Sequence, residues 1–450
     1  MLNKHLLLSI ASLCLITSLA AQNGTSFKDW AQTPPMGWNS WDCYGPNVVE
    51  SEVKANADYM AKNLKKFGWE YIIVDIRWNI QNDKSGGYNQ TDQIYTIDEY
   101  GRYIPAPNRF PSSANGKGFK PLADYMHAKG LKFGIHIMRG IPKIAVDRKL
   151  SILGAKGVTA DQVYTEKGQC TWLRDNYTLL ADQKGAQEYY NSIFDLYASW
   201  GVDFVKVDDL SAPSYHQDEV SMIRKAIDQC GRAIVLSTSP GETPIEAAPH
   251  VSQNANMWRM VNDVWDNWRD VTHLMTVAQK WYGYIAPGTW PDCDMIPLGR
   301  LSIRGERGKD RRTNLTKDEQ YSLMTLFTIF RSPLMFGGDL PSNDEFTNSL
   351  LTNKNVLRMH KQGSKVRQLF QENGQVAITS IDSKTKEVYL ALFNTGQTEQ
   401  TIKVDLAKHN LPVKVAATDL WSGKKLGKIA GSIEQTLAPH ACLLVSLKGK

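Results

Sequence analysis

Cysteine is scarce in this chain, with six residues among 450. No two of them stand in a paired Cys-x-x-Cys spacing, so the common zinc-binding pattern is missing. Once Cys14 is set aside within an apolar N-terminal run, Cys43, Cys170, Cys230, Cys293 and Cys442 remain. An odd number cannot pair completely, so at least one thiol is expected to stay free. Charge of one sign is equally thin. The formal net charge is only +6, the basic residues are scattered among the acids, and no basic helix or Arg/Gly tract occurs, which argues against a nucleic-acid partner. There is no low-complexity linker and no repeat of solenoid length. The longest apolar run, residues 6–19, is too short to cross a bilayer comfortably. It follows Met-Leu-Asn-Lys-His and ends in Ser18-Leu19-Ala20-Ala21, the layout of a cleavable secretory signal over residues 1–21. The expected location is therefore secreted or periplasmic, without a membrane span.

What the chain has in excess is aromatic surface, with thirteen tryptophans and eighteen tyrosines. Most such rings pack in cores, but flat aromatic faces also suit sugar rings. The length exceeds one ordinary core, and a large barrel followed by a smaller domain fits it.

The segment 200–211, Trp-Gly-Val-Asp-Phe-Val-Lys-Val-Asp-Asp-Leu-Ser, anchors this reading. A short apolar run ends in Lys206, Asp208 and Asp209, as a buried parallel strand does when it delivers reactive groups to a loop. Residues two apart in an extended chain project to the same side, so Lys206 and Asp208 can meet one ligand while Asp209 points elsewhere. Strand-like runs and helical spacings alternate about eight times over roughly 300 residues, the pattern of a (β/α)8 barrel. Residues 22–345 are assigned to it, with 232–236 as its fifth strand and 288–295 as its seventh loop. Past Asp344 the texture changes to short strands at 376–381, 388–393, 402–406, 413–420 and 441–447, separated by turn residues. These predict a C-terminal antiparallel β-sandwich within residues 346–450.

Four barrel-strand ends carry carboxylates: Asp75, Asp208 with Asp209, Asp263, and Asp292 with Asp294. A barrel gathers such ends around one pocket. Convergent acids serve glycoside hydrolysis, where one attacks and another protonates the leaving oxygen. They also serve magnesium- or manganese-dependent lyases and isomerases, and Lys206 could instead be a Schiff-base amine. An ammonium beside Asp208 would hold that carboxylate ionised, as a nucleophile requires. Arg259, four residues before Asp263, could orient a ligand or a neighbouring acid. Two cations among the acids disfavour a divalent metal. Trp38, Trp41, Trp78, Trp258 and Trp290, near the same ends, favour a sugar.

Five stretches carry a resemblance: Met36-Gly-Trp-Asn-Ser-Trp41, Val74-Asp75, Val205-Lys-Val-Asp208, Met257-Trp-Arg-x-x-x-Asp263 and Trp290-Pro-Asp-Cys-Asp-Met295. In this order they look like the α-galactosidases (melibiases) of glycoside hydrolase family 27. Ser332-Pro-Leu, Ala391-Leu-Phe-Asn394 and Asp419-Leu-Trp421 extend the likeness over nearly all of the chain after the signal. The resemblance implies a β/α barrel with a C-terminal β domain, no metal or cofactor, and retention through a glycosyl-aspartate. It implies Asp208 as nucleophile and Asp263 as acid/base, with Trp41, Asp75, Lys206, Arg259 and Asp294 around the sugar.

Three departures bear on the substrate. The family usually pairs two aspartates at the second strand end, the second serving sugar O6. Here Ile76 takes that place and cannot accept a hydrogen bond. Such a pocket suits β-L-arabinopyranose, which has the galactose ring arrangement without C6, although period-two alternation also allows Ile76 to face the barrel core. Ser237-Thr-Ser-Pro-Gly241 is smaller than the usual Glu-Trp-Pro stretch and would admit a 2-acetamido group, and His136 stands where tyrosine is commoner. The expected function is a retaining exo-glycosidase releasing terminal α-D-galactopyranosyl or β-L-arabinopyranosyl residues. The alternatives are an α-N-acetylgalactosaminidase, a metal-dependent barrel lyase or isomerase, and a non-catalytic sugar-binding protein, against which the two intact acids argue.

Overall fold

The computed structural model describes residues 26–449, and the expected signal at 1–21 lies outside them. Nine strands form one parallel sheet: β1 (Met36–Asn39), β2 (Tyr71–Val74), β3 (Lys132–Met138), β4 (Phe204–Asp208), β5 (Val235–Thr238), β6 (Met257–Arg259), β7 (Trp290–Asp292), β8 (Met295–Ile296) and β9 (Leu334–Phe336). Their spatial order is β7-β6-β5-β4-β3-β2-β1-β9-β8. Only Cys293 and Asp294 separate β7 from β8, yet β7 pairs with β6 and β8 with β9. The two are halves of one bent seventh strand that joins the sheet's edges into an eight-stranded barrel. The segment expected as the seventh loop is therefore that strand. Its Pro291, Asp292 and Asp294 disguise it, and Asp294 makes the bend at φ 80°.

Helices α1 (Glu50–Tyr59), α2 (Lys120–Ala128), α3 (Ala186–Trp200), α4 (Gln217–Gln229), α5 (Ala248–Asn254), α6 (Trp268–Ala278) and α7 (Lys317–Phe330) run in the connections. The strands are buried on both faces, as in other parallel sheets covered by helices, and alternation sorts their side chains. Ile72, Val74, Val205, Val207 and Trp258 join the large core between strands and helices. Tyr71, Ile73, Phe204, Met257 and Trp290 fill the barrel interior. At Gly37 a Cβ would lie 2.6 Å from the Tyr71 carbonyl oxygen, so only glycine lets β1 approach β2 this closely. The fifth strand lies three residues later than expected at its start, because Arg232 is spent on Asp203 and the Val202 carbonyl outside the sheet.

After β9 come α8 (Glu345–Thr352) and α9 (Lys354–Gln362), the latter packed against α7. The antiparallel strands begin at Gly363. They are β10 (Gly363–Glu372), β11 (Gln375–Asp382), β12 (Val388–Asn394), β13 (Gln400–Asp405), β14 (Lys414–Asp419), β15 (Lys425–Ala430), β16 (Ser432–Leu437) and β17 (Cys442–Gly449). Six form a sheet in the order β10-β11-β12-β17-β14-β15, and β13 with β16 forms its two-stranded partner. The larger sheet is packed on both sides. Tyr389, Ala391 and Phe393 face the barrel helices, while Val388, Leu390 and Leu392 meet Ile402, Val404 and Ile433 in the sandwich core. Strands β10, β15 and β16 escape sequence reading for local reasons. A register irregularity breaks the alternation of β10, β15 is nearly all exposed, and β16 buries few residues.

Among the described residues all five cysteines are free. No helix there is long and apolar enough to cross a membrane.

Candidate active site

The alternation that buries Tyr71, Ile73 and Phe204 inside the barrel carries on to its C-terminal mouth, where Asp75, Lys206 and Asp208 follow in register on the same side. There Trp41, Asp75, Ile76, Lys206, Asp208 and Asp263 line one cleft of about 790 Å³. Six of the eight site residues expected from sequence thus share a single wall system. The other two, Arg259 and Asp294, are buried beneath it and border a small internal void.

Asp75 sits in a fixed bracket. Its Oδ2 accepts from Asn39 Nδ2 at 2.6 Å and from Lys206 Nζ at 3.1 Å, and its Oδ1 accepts from the Ile76 amide at 2.8 Å. Burial pushes this carboxyl up, but Lys206 and His136 outweigh it and hold Asp75 below the ordinary range. The direct ion pair of Lys206 is therefore with Asp75, where the sequence suggested Asp208. The register explains this: Lys206 lies opposite His136 on β3, and from there its long stem reaches the end of β2.

Asp208 is bonded by His136 instead, with Nε2 2.8 Å from Oδ2. Its other oxygen, Oδ1, is buried without a hydrogen-bond partner. Burial raises the carboxyl's pKa, yet the Lys206 charge and the His136 bond hold it well below the carboxylate range. A carboxylate so held is ionised at neutral pH, the state that nucleophilic attack requires. Asp209 turns away at φ 63° into a buried pair with Arg139, 2.8 Å apart, as the alternation required.

Asp263 differs from the other acids because its side chain is 41% exposed. It follows β6 in a short segment held at both ends. Asn267 caps α6 by accepting from the Asp270 amide at 3.0 Å, and Asp270 in turn accepts from the Trp265 amide at 3.0 Å. Arg259 bridges from below, reaching Asp263 Oδ1 at 3.1 Å and Asp294 Oδ1 at 2.7 Å. Of the two roles open to Arg259, the structure thus supports orienting an acid. Asp294 also accepts from the Val264 amide at 2.8 Å. Burial and the charges of Asp263 and Asp292 push its pKa up to about 7 against the pull of Arg259. Asp42, unnoticed in the sequence, is a further buried acid here, raised by burial first and then by Asp294 and Asp263.

The walls come from long loops. Trp41 stacks on Tyr88 with centroids 5.7 Å apart, and Tyr88 leans on Trp172 at 6.0 Å. These loops are locked by Arg77, which makes a two-bond fork to Asp175 at 2.9 and 3.1 Å and a third bond to Asp83 at 3.0 Å. Tyr88 lies in the segment 79–119, whose Gly-, Asn-, Tyr- and Pro-rich composition marks an active-site loop, and Trp172 lies in the long loop 138–180; neither stretch has a periodicity that singles out the ring itself. Of the tryptophans near the strand ends, only Trp41 reaches the cleft. Trp38, Trp258 and Trp290 are wholly buried and Trp78 nearly so, serving as core. Ile76 lines the cleft and also joins an apolar cluster with Trp41, Cys170 and Leu173. Ser239 and Pro240 also line the cleft. Behind them a Cβ at Gly241 would fall 1.9 Å from the Val261 carbonyl oxygen, so this glycine lets the two loops touch. Among the described residues no group of three or more His, Cys, Asp or Glu side chains is arranged to hold a metal ion.

The family model described as alpha galactosidase A matches residues 33–145 and 160–362, and the alpha galactosidase C-terminal beta sandwich domain matches 373–447. Alpha-galactosidase 2 of Arabidopsis thaliana is 27% identical over 93% of this chain and 90% of its own length. The solved GH27 β-L-arabinopyranosidase of Geobacillus stearothermophilus is 50% identical, with a TM-score of 0.92 over 94% of this chain and 98% of that one. A candidate α-N-acetylgalactosaminidase from Bacillus halodurans is 46% identical, with a TM-score of 0.84 over 93% and 98% of the two chains.

Proposed function

The chain belongs to the alpha-galactosidase family of glycoside hydrolases, and from that premise we propose that it is a secreted, retaining exo-glycosidase favouring terminal β-L-arabinopyranosyl over α-D-galactopyranosyl residues. Asp208 attacks the anomeric carbon while the exposed carboxyl of Asp263 protonates the departing oxygen. Water then displaces the aspartate ester, giving its proton to Asp263, so two inversions preserve the configuration. Asp75, with its charge secured by Lys206, accepts from ring hydroxyls, and Arg259 steadies Asp263.

The observation that carries the sugar preference is the place of Ile76, an apolar side chain in the cleft wall beside Asp75. A galactosyl 6-hydroxyl against it would be stripped of water without a partner, whereas an arabinopyranosyl ring presents nothing there. The likeness to the Geobacillus arabinopyranosidase supports the same reading. The low bulk of Ser239 and Pro240 in the cleft lining favours a second reading, an α-N-acetylgalactosaminidase. Nitrophenyl β-L-arabinopyranoside, α-galactoside and α-N-acetylgalactosaminide assayed side by side decide between them. The arabinoside is expected to have the highest kcat/KM, and a dominant acetamido sugar would overturn the assignment. Secretion rests on the signal-like residues 1–21, and sequencing the N-terminus of the exported protein tests it.

A further inference from the structure

We propose that His136 is a positioning residue for Asp208, one whose hydrogen bond favours the second chemical step over the first. This inference rests on the glycosidase reading above. Among the described residues the imidazole makes the short hydrogen bond to this carboxylate, and the Ser239 hydroxyl adds a smaller contribution beside it. Nε2 lies 2.8 Å from Oδ2, Oδ1 has no partner, and the Lys206 ammonium is committed to Asp75. An ionised carboxylate can only accept, so the hydrogen resides on Nε2. The ring itself is buried. It is held on β3 by pairing opposite Lys206, and its backbone carbonyl accepts from Trp78 Nε1 at 2.6 Å. The carboxylate's rotation about its last bond thus depends on a donor that is itself fixed.

The consequence follows from the movement of charge. In the first step an Asp208 oxygen forms a bond to the anomeric carbon, the bond to the leaving oxygen breaks, and that oxygen takes the proton of Asp263. The carboxylate becomes a neutral ester, and the His136 bond weakens because its acceptor has lost charge. In the second step water attacks the same carbon and its proton passes to Asp263. The electron pair of the aspartate–sugar bond returns to Asp208, and the bond to Nε2–H strengthens as charge reappears. The proton stays on His136 throughout. An interaction stronger in the transition state than in the preceding ground state accelerates that step, so His136 speeds hydrolysis of the glycosyl-enzyme.

The test compares His136→Phe, which removes the donor, with His136→Gln, whose amide can reach the same oxygen. The substrate is dinitrophenyl β-L-arabinopyranoside, whose leaving group needs no acid. The Phe variant is expected to lose about tenfold in kcat, the difference between a charged and a neutral acceptor. It should also show a burst of dinitrophenol and a lowered KM as the glycosyl-enzyme accumulates, while the Gln variant stays within a few fold of wild type. An unchanged kcat, or a loss without a burst or equal in both variants, overturns the role. A readout on the unmodified protein covers failure of a variant to fold. The Nε2 proton resonance should move upfield when a 2-deoxy-2-fluoro glycosyl fluoride traps the enzyme, and an unmoved resonance overturns the proposal. Mass mapping of the trapped adduct separates the two levels. A label on a residue other than Asp208 overturns the glycosidase assignment too, whereas a label on Asp208 with either negative result above overturns only the role of His136.

Discussion

Replacing Ile76 by aspartate converts one wall of the cleft into a sugar preference that can be measured. In the native protein Ile76 is 4% exposed and packed with Trp41, Cys170 and Leu173. A 6-hydroxyl pressed against it without a partner costs about 1–3 kcal/mol. The native enzyme should therefore favour the arabinopyranoside by roughly 5- to 150-fold in kcat/KM. A carboxyl at position 76 removes that penalty and adds a hydrogen bond. Because Asp75 and Asp208 line the same cleft, like charge discourages its ionisation, so the bond is best counted as neutral, about 0.5–1.5 kcal/mol. The preference should then shift towards the galactoside by about 1.5–4.5 kcal/mol, a rise of roughly tenfold to two-thousandfold in the ratio of galactoside to arabinoside kcat/KM. The apolar cluster loses packing worth about 2–4 kcal/mol, so the melting temperature must be followed. Ile76→Val, which keeps the wall apolar, is the control and should leave the ratio near its native value. A folded Ile76→Asp protein with an unaltered ratio refutes the argument.

Asp208→Asn should abolish turnover while the fold survives, because an amide cannot supply the attacking oxygen; near-native activity, once deamidation is excluded, contradicts the assignment. In Asp263→Ala, dinitrophenyl substrates should still form the glycosyl-enzyme, and azide should speed its breakdown to a glycosyl azide. Failure of azide to do either removes Asp263 from the acid/base role. Lys206 lowers the pKa of Asp208, so Lys206→Met should raise it and move the acid limb of the kcat/KM profile to higher pH. A limb that stays in place shows that the cation does not govern this carboxylate.

Much of this protein follows from its sequence because alternation is local. Val205, Lys206, Val207 and Asp208 must face opposite ways in turn wherever their strand lies, so a lysine and an acid inside the barrel mouth were legible from these four residues. The same rule turned Asp209 outward and marked Asp75. Tertiary structure alone decided which partners those side chains meet. Lys206 pairs with Asp75 because β2 and β4 flank β3, which also sets His136 beside Asp208; sequence separations of 131 and 72 residues hide both contacts. The aromatic wall of Tyr88 and Trp172 depends on the Arg77–Asp175 fork 98 residues apart, a closure that no local propensity encodes. The seventh strand was misread because Pro291 and three polar neighbours look like a loop, and only its two different partners, β6 and β9, make it the strand that closes the barrel. Local pattern dictates which way a side chain points, and the neighbours it finds there are set by loop closures whose energy comes from the packed whole.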